Sequence, residues 1–399
     1  MGTNEIINDD CKNVLKYLKK ESVDLIYLDP PFYTQKIQKL KTKDNSKEYS
    51  FNDVWESRSH YINYIKERLM ILEKVMKNSA SIFLHCDNTA SHLLRLAMEE
   101  VFGVKNFQSE IIWTYKRWSN SKKGLLEAHQ NILFFSKSSE FKFNSIYQEY
   151  SPSTNIDQIV QRREKNEFGK TIYSKRDNGD IDIIEDKKGV PLNDVWDIPY
   201  LNPKAKERVG FPTQKPITLL ERIINLTTKE NDVVLDPFCG SGSFLVAAKI
   251  SNRKYIGFDI NKEAIELTKD RLVKPIKTES VLMKIGRESY KNQKPEIEEI
   301  LNEVGAVIVQ RNKGIDGLLR TNEGLIPIKI HDNENEKISE IIDKVSKAIT
   351  KNSYKKAIIL SLFGSKSKCK KIQNENIDVF YSKNDLLTNL QILEKNNYL

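Results

Sequence analysis

Apolar positions near the start of the chain follow two rhythms. Val23-Asp24-Leu25-Ile26-Tyr27-Leu28 is an almost continuous apolar run, the pattern of a strand buried on both faces of a parallel sheet. Residues 61–75 instead carry Ile62, Ile65, Leu69 and Leu72 at helical spacing. A second strand is predicted over 81–85. A helix should follow, capped near Asn88 or Ser91 and buried through Leu93, Leu94, Ala97 and Val101. The same alternation resumes at Pro212. A helix opens at Lys215-Pro216 with proline at its first position, followed by a strand over 232–235, a short helix, a strand over 254–258 and a helix over 261–272. Beyond about Thr278 a separate small α/β unit is predicted, after a lysine-rich linker over 274–294. It runs helix (295–304), two strands, helix (338–349), strands over 357–362 and 377–381, and a last helix.

The stretch 113–208 departs from this rhythm. Helical periodicity is poor, basic pairs recur (Lys116-Arg117, Lys122-Lys123, Arg162-Arg163, Lys175-Arg176, Lys187-Lys188), and Trp113, Tyr115 and Trp118 are interleaved with them. Such a stretch is either a solvated insertion or a surface that sets cations on phosphates and a few side chains on base edges. Charge changes the picture only modestly: a net +9 over 399 residues favours polyanionic partners, though lysine-rich chains are often merely soluble. A hydrophobic fraction of 39% and a charged fraction of 30% describe a globular protein. No apolar run is long enough to span a bilayer, and the first ten residues carry no signal segment, so a cytoplasmic location is expected. Four scattered cysteines and five histidines without ligand spacing predict neither a disulfide framework nor a metal site.

Two strand ends carry the chemistry. The strand over 232–235 leads into Asp236-Pro237-Phe238-Cys239-Gly240-Ser241-Gly242, and Asp259 ends the next strand. Gly240 and Gly242 would let the backbone approach a ligand, and Asp259 stands at the distance at which an acid meets ribose hydroxyls. Asp236 suits a cofactor bearing positive charge, such as a sulfonium amino acid, better than a pyrophosphate. The other strand end is Asp29-Pro30-Pro31-Phe32. An exocyclic base amine is a poor nucleophile because its lone pair is delocalised into the ring. A carboxylate (Asp29) and a carbonyl (Pro30) accepting both N–H groups free that pair for in-line attack on a methyl group. Two prolines stiffen the turn, and Phe32 can stack on a base turned out of the duplex.

These two motifs resemble the catalytic and cofactor motifs of bacterial DNA amino-methyltransferases, and their order, catalytic first, resembles the beta class. The resemblance covers residues 6–272. It includes Phe211-Pro212-Thr213-Gln214-Lys215-Pro216, similar to the segment lining the methionine end of the cofactor, and Asp9-Asp10-Cys11, similar to the turn near its adenine. It implies a Rossmann-like α/β sheet with permuted motif order and S-adenosylmethionine as cofactor. Cofactor residues would be Asp10, Cys11, Lys215, Pro216, Asp236, Pro237, Phe238, Gly240, Gly242 and Asp259. The expected domains are a catalytic half (1–112), a target recognition region (113–208), a cofactor half (209–277) and a C-terminal unit (278–399). Within the recognition region, Lys116, Arg117, Trp118, Lys122 and Lys123 are the candidate DNA contacts. Aspartate at the head of the tetrapeptide leans towards adenine N6 in double-stranded DNA, with cytosine N4 the runner-up. Methyltransferases of RNA or protein, in which the cofactor motif comes first, and a non-catalytic DNA-binding module are the other classes. A homodimer and a cognate restriction endonuclease are left open as partners.

The C-terminal segment resembles the Mrr-like branch of PD-(D/E)xK nucleases. Gly314-Ile315-Asp316-Gly317 matches its metal-binding aspartate, and Glu298 or Glu299 its helical acid. Lys329 and His331 stand where an acid or glutamine and a lysine belong. A cation in the acceptor's place disfavours a metal ion, so a degenerate domain without cleavage is expected.

Overall fold

The computed structural model describes residues 2–41, 48–116, 123–148, 161–176, 182, 189–279, 293–310, 312–321, 324–352, 354–363 and 376–395. The chain divides into two compact units, Met1–Gly286 and Arg287–Leu399.

The first unit is built on one mixed sheet. Its strands are β1 (Glu5–Ile7), β2 (Val23–Leu28), β5 (Met76–Cys86), β6 (Phe107–Thr114), β7 (His129–Ser136), β12 (Val195–Asp197), β13 (Val233–Asp236) and β14 (Lys254–Phe258). They lie in the order β1-β14-β13-β2-β5-β7-β6-β12. The segment from β1 to β5 is parallel, and β7 pairs antiparallel with both β5 and β6. A separate hairpin, β3 (Lys36–Lys41) and β4 (Glu48–Asp53), follows the catalytic tetrapeptide. Smaller pairs join β8 (Tyr147–Gln148) to β11 (Val190–Pro191) and β9 (Arg163–Lys165) to β10 (Thr171–Tyr173).

Successive β2 side chains feed opposite cores, as a pleated strand requires. Ile26 and Leu28 pack with Tyr61, Ile65 and Leu69 of α1 (Arg58–Val75) and with Leu94 and Met98 of α2 (Ser91–Phe102). Leu25 and Tyr27 pack with Leu220, Ile223 and Ile224 of α3 (Ile217–Thr227) and Phe244 of α4 (Ser243–Ile250). This two-sided burial is why the strand reads as an unbroken apolar run. Helix α5 (Lys262–Val273) is capped by the Asn261 side chain, which accepts from Glu263 and Ala264 N–H. Two caps differ from the sequence reading. Helix α2 starts after Ala90 with no side-chain cap, and Pro216 is the N-cap of α3, one position outside the helix.

The stretch 113–208 contributes to the sheet itself, since β7 lies between β5 and β6. Trp113 is fully buried, Tyr115 nearly so, and Trp113 Nε1 donates to Ile198 O at 2.6 Å. These two rings are core, not base-stacking surface. We expect Trp113→Ala to cost about 3–5 kcal/mol of stability, the range for emptying a large aromatic site. Chemical denaturation checks this, and a loss confined to DNA affinity would contradict the assignment.

The second unit has a five-stranded sheet in sequence order, β15 (Val307–Ile308), β16 (Gly317–Thr321), β17 (Gly324–His331), β18 (Ala357–Ser361) and β19 (Ile377–Phe380). The first three are antiparallel and the last three parallel. Helix α6 (Pro295–Glu303) precedes the sheet, α7 (Ile338–Asn352) connects β17 to β18, and α8 (Lys383–Lys395) follows β19.

Candidate active site

The C-terminal ends of β2 and β13 lie side by side, and a cavity of about 450 Å³ opens above them. This is where an open α/β sheet leaves room for a ligand. Asp29, Pro30, Pro31 and Phe32 form one wall. Asp236, Pro237, Phe238 and Gly240 form another, with Asp259 beyond them. Asp10 and Cys11 line one end, and Lys215 enters from the turn before α3. Pro216 and Gly242 are not on the wall. Gly242 has φ +72°, and a Cβ there would come within 2.5–2.9 Å of the Thr268 side chain. Its role is to seat α4 against α5, not to admit a ligand. Gly240 does face the cavity, and a Cβ there would press on the Phe211 ring at 3.0 Å.

Three of the acids, Asp259, Asp236 and Asp10, are held in place by backbone donors. Asp259 Oδ2 accepts from Gly240 N and Oδ1 from Asn261 N, both at 2.8 Å, so the Gly-rich turn and the tip of β14 are tied together. Asp236 Oδ1 accepts from Phe238 N at 3.1 Å. Asp10 caps a 3-10 turn over Cys11–Lys16 through Lys12 N and pairs with the buried Arg68 guanidinium at 2.5 Å. Burial pushes Cys11 up to about 12, which leaves it an inert thiol. Cys86 and Cys239 are also buried and free.

Burial raises the carboxyls of Asp29, Asp236 and Asp259 above their ordinary range, Asp236 well above it. For Asp29 the Lys215 ammonium works in the opposite sense. Asp29 already has the Lys215 ammonium, whereas Asp236 and Asp259 are bonded to backbone N–H groups, and a cationic ligand would supply the positive charge they face. The donor set therefore fits a sulfonium cofactor. The Asp236 and Asp259 carboxyls titrate high, an approaching cation lowers them, and binding releases protons. S-adenosylmethionine affinity should rise with pH through the range in which these acids ionise. Titration calorimetry in buffers of different ionisation enthalpy should show net proton release, and proton uptake would contradict this picture.

The Phe32 ring is 8% exposed, and one face is already covered. His85 stacks on it with centroids 5.8 Å apart and planes at 25°. His85 itself is fully buried. Its Nδ1 meets Tyr27 Oη and its Nε2 meets Gln130 Oε1, each at 2.8 Å. Burial, then the nearby Lys215 charge, holds its pKa well below the usual value, so the ring stays neutral. His85 braces Phe32 and is shielded from direct contact with a substrate.

Asp53, at the end of β4, was not singled out from the sequence. It is 1% exposed, and its carboxylate accepts from Phe32 N (3.2 Å), Tyr33 N (2.9 Å), Thr34 N (2.8 Å), Thr34 Oγ1 (2.6 Å) and Trp55 Nε1 (2.9 Å). Gln35 and Trp55 exchange two further bonds. Tyr33 and Gln35 sit at φ 65° and 56°, in the left-handed region that costs side-chain-bearing residues energy, and these bonds hold them there. The only sequence signal was the alternation of Tyr49, Phe51 and Asp53 along β4.

Of the candidate DNA contacts, Lys116 and Lys123 are exposed and lie outside the cavity lining. Arg117, Trp118 and Lys122 lie outside the described residues. Among the described residues no group of His, Cys, Asp and Glu could hold a metal ion. No helix among them is long and apolar enough to cross a membrane.

In the second unit Asp316 is 2% exposed and accepts three hydrogen bonds, from Ile330 N (2.7 Å), Gln293 Nε2 (3.0 Å) and Lys329 Nζ (2.9 Å). His331 is bonded through both ring nitrogens, to Ser361 Oγ and to the carbonyls of Asn333 and Glu336.

A fold of this kind, with two strand-end motifs facing one acid-lined cavity, defines a ligand site at the sheet's carboxyl edge, and comparison with known proteins gives its class. Residues 23–270 match the family described as DNA methylase, and the chain belongs to that family. It is an S-adenosylmethionine-dependent DNA methyltransferase. Residues 217–384 also match the D12 class N6 adenine-specific DNA methyltransferases. The Haemophilus parainfluenzae type II methyltransferase M.HpaI is 30% identical over 266 residues, 66% of this chain and 73% of that one. The DNA adenine methyltransferase YhdJ of Escherichia coli is 30% identical over 271 residues, 67% of this chain and 82% of that one. A solved structure titled as the cytosine-N4-specific PvuII DNA methyltransferase aligns over 70% of this chain and 89% of its own, at 16% identity and a TM-score of 0.47.

Proposed function

We propose that the cavity holds a base flipped out of duplex DNA beside the cofactor, and that the base amine takes the methyl group directly. The reaction is site-specific methylation of adenine N6, in keeping with the adenine-specific class matched by residues 217–384 and with relatives named as adenine and type II methyltransferases. Asp29 carries the reading. Its side chain is 19% exposed, enough to meet a ligand, and it is fixed at the end of a fully buried strand. Its carboxylate and the Pro30 carbonyl accept the two N–H bonds of the amine, drawing the nitrogen towards tetrahedral geometry. Phe32, braced by His85, receives the face of the base. When bound, the cofactor supplies an electrophilic methyl on a sulfonium. Asp236 and Asp259 hold its charged and ribose ends, with Asp10 and Cys11 at its adenine. Lys116, Arg117, Trp118, Lys122 and Lys123 are the proposed backbone and base contacts. A restriction endonuclease reading the same sequence is the proposed partner, in line with the type II relatives.

Incubating the protein with duplex DNA and S-adenosylmethionine, then digesting to nucleosides, tests this by mass spectrometry. N6-methyladenine is expected, and N4-methylcytosine alone would move the substrate to the other amine.

For the second unit we propose a degenerate PD-(D/E)xK-like domain that does not cut. The Lys329 ammonium sits on Asp316, where a metal ion would have to bind, and supports that reading. With Mg²⁺ and unmethylated plasmid no nicking is expected. Nicking lost in Asp316→Ala would reverse the proposal.

A further inference from the structure

Lys215 is the only lysine or arginine among the described residues lining the cavity, and its side chain is 4% exposed. Its three N–H bonds are all directed. Nζ lies 2.7 and 2.6 Å from the two Asp29 oxygens and 3.3 Å from Thr213 O. It also stands 5.1 Å from the Phe32 centroid. A lysine tied at three points is a fixed charge rather than a flexible surface cation. The other titratable groups around Asp29 are Tyr27 on β2, Cys86 on β5 and Asp236 on β13, with His85 beside Lys215. None of these is a cation: burial keeps the phenol and the thiol protonated and the imidazole neutral, and Asp236 is an acid.

We propose that Lys215 is a positioning residue for the transfer step, holding Asp29 as an ionised, aimed acceptor for the target amine. The inference rests on the reading of Asp29 as that acceptor. The chemistry requires the ionised form. In the transfer an N–C bond forms, the C–S bond breaks with its electron pair going to sulfur, and one N–H proton then passes from the nitrogen to the Asp29 carboxylate that accepts it, and on to solvent. A carboxylate accepts the N–H and leaves the nitrogen lone pair free. A protonated Asp29 would instead point an O–H at that lone pair, the orbital that has to attack. Desolvation at the end of β2 pushes Asp29 towards the protonated form, and Lys215 is the group that opposes it. An ionised, acceptor-only carboxylate also discriminates between bases, because an amine offers it a donor and a carbonyl edge does not.

The test is the pH profile of single-turnover methyl transfer by the full chain, with saturating S-adenosylmethionine and unmethylated genomic duplex DNA, from pH 5 to 9. Saturation removes any effect of Lys215 on cofactor affinity. Loss of an opposite charge at this distance moves a carboxylate by roughly 1–3 units. In Lys215→Met the acid limb should therefore move up by at least about one unit, with the rate on the limb falling about tenfold for each unit moved and returning to the wild-type rate on the high-pH plateau. Lys215→Arg, which keeps the charge, should leave the limb within a few tenths of a unit of wild type. If Lys215→Met does not fold by circular dichroism, Lys215→Gln carries the same expectation. An unmoved limb with weakened cofactor binding alone would make Lys215 a cofactor anchor and overturn the proposal. Failure of the underlying reading looks different: wild type makes no methylated base, or Asp29→Ala still makes it.

Discussion

Asp29→Ala should abolish methylation of DNA while S-adenosylmethionine still binds. Removing one preorganised group aimed at a reacting centre typically costs 10²–10³ in rate, and Asp29 has two tasks, accepting an N–H and fixing the geometry of attack. The loss should therefore reach or exceed about 10³-fold. Cofactor binding should fall far less, because Asp236, Asp259 and Asp10 line the same cavity and are untouched. Asp29→Asn sharpens the result, since it keeps the shape but presents an NH₂ to Lys215 and the amine, both of them donors. It should be nearly as inactive as alanine. Nucleoside mass spectrometry measures activity and calorimetry measures binding. A variant that methylates within tenfold of wild type would remove Asp29 from the chemistry.

Asp53→Ala is expected to damage both stability and rate, although Asp53 makes no proposed contact with substrate. Five donors lose their acceptor at once, and each buried unsatisfied donor costs about 1–3 kcal/mol, less where water enters from the cavity. A net loss of about 3–5 kcal/mol follows, or roughly 5–8 °C in Tm for a unit of this size. The strained backbone at Tyr33 and Gln35 would relax, and Phe32 would lose its fixed position. The rate should fall by about tenfold or more even below the melting temperature, through kcat more than through the KM for cofactor. Asp53→Asn retains one carbonyl oxygen and should lie between alanine and wild type. An unchanged Tm in the alanine variant would show that these bonds are replaced by water at no cost.

The two variants also mark what the chain disclosed and what it concealed. Asp29 and Asp236 were legible because each ends an apolar run and is followed by proline, so the strand, its end and its stiff turn can all be read locally. The boundaries of β2 and β14 are those read from the sequence, 23–28 and 254–258. Asp53 was hidden because nothing local distinguishes it. It gains its role only when β4 folds back on the 32–35 turn, a tertiary event. The β3–β4 hairpin was missed for a related reason: its strands carry Lys36, Lys39, Lys41, Glu48 and Asp53, and so resemble a solvated loop. The strand β7 was readable in principle from Ile132-Leu133-Phe134-Phe135, but its basic surroundings masked it. Trp113 and Tyr115 show the complementary error, since aromatics between cations suggested a surface and belong to the core. Composition reports a neighbourhood, and burial is decided by the pleat.

Strand β2 has a consequence for how the protein is made. Its two neighbours in the sheet are β5, encoded within about fifty residues of it, and β13, roughly 200 residues further along. As the chain leaves the ribosome, β2 can pair on one edge early, but its other edge stays open until the cofactor half has emerged. At about 5–20 residues per second that wait lasts some 10–40 seconds. During it a very apolar strand presents unpaired backbone to the cell, a template for pairing with other nascent chains. The long separation of β2 from β13 therefore carries a hazard during synthesis, and chaperone demand should be highest before residue 236 is translated.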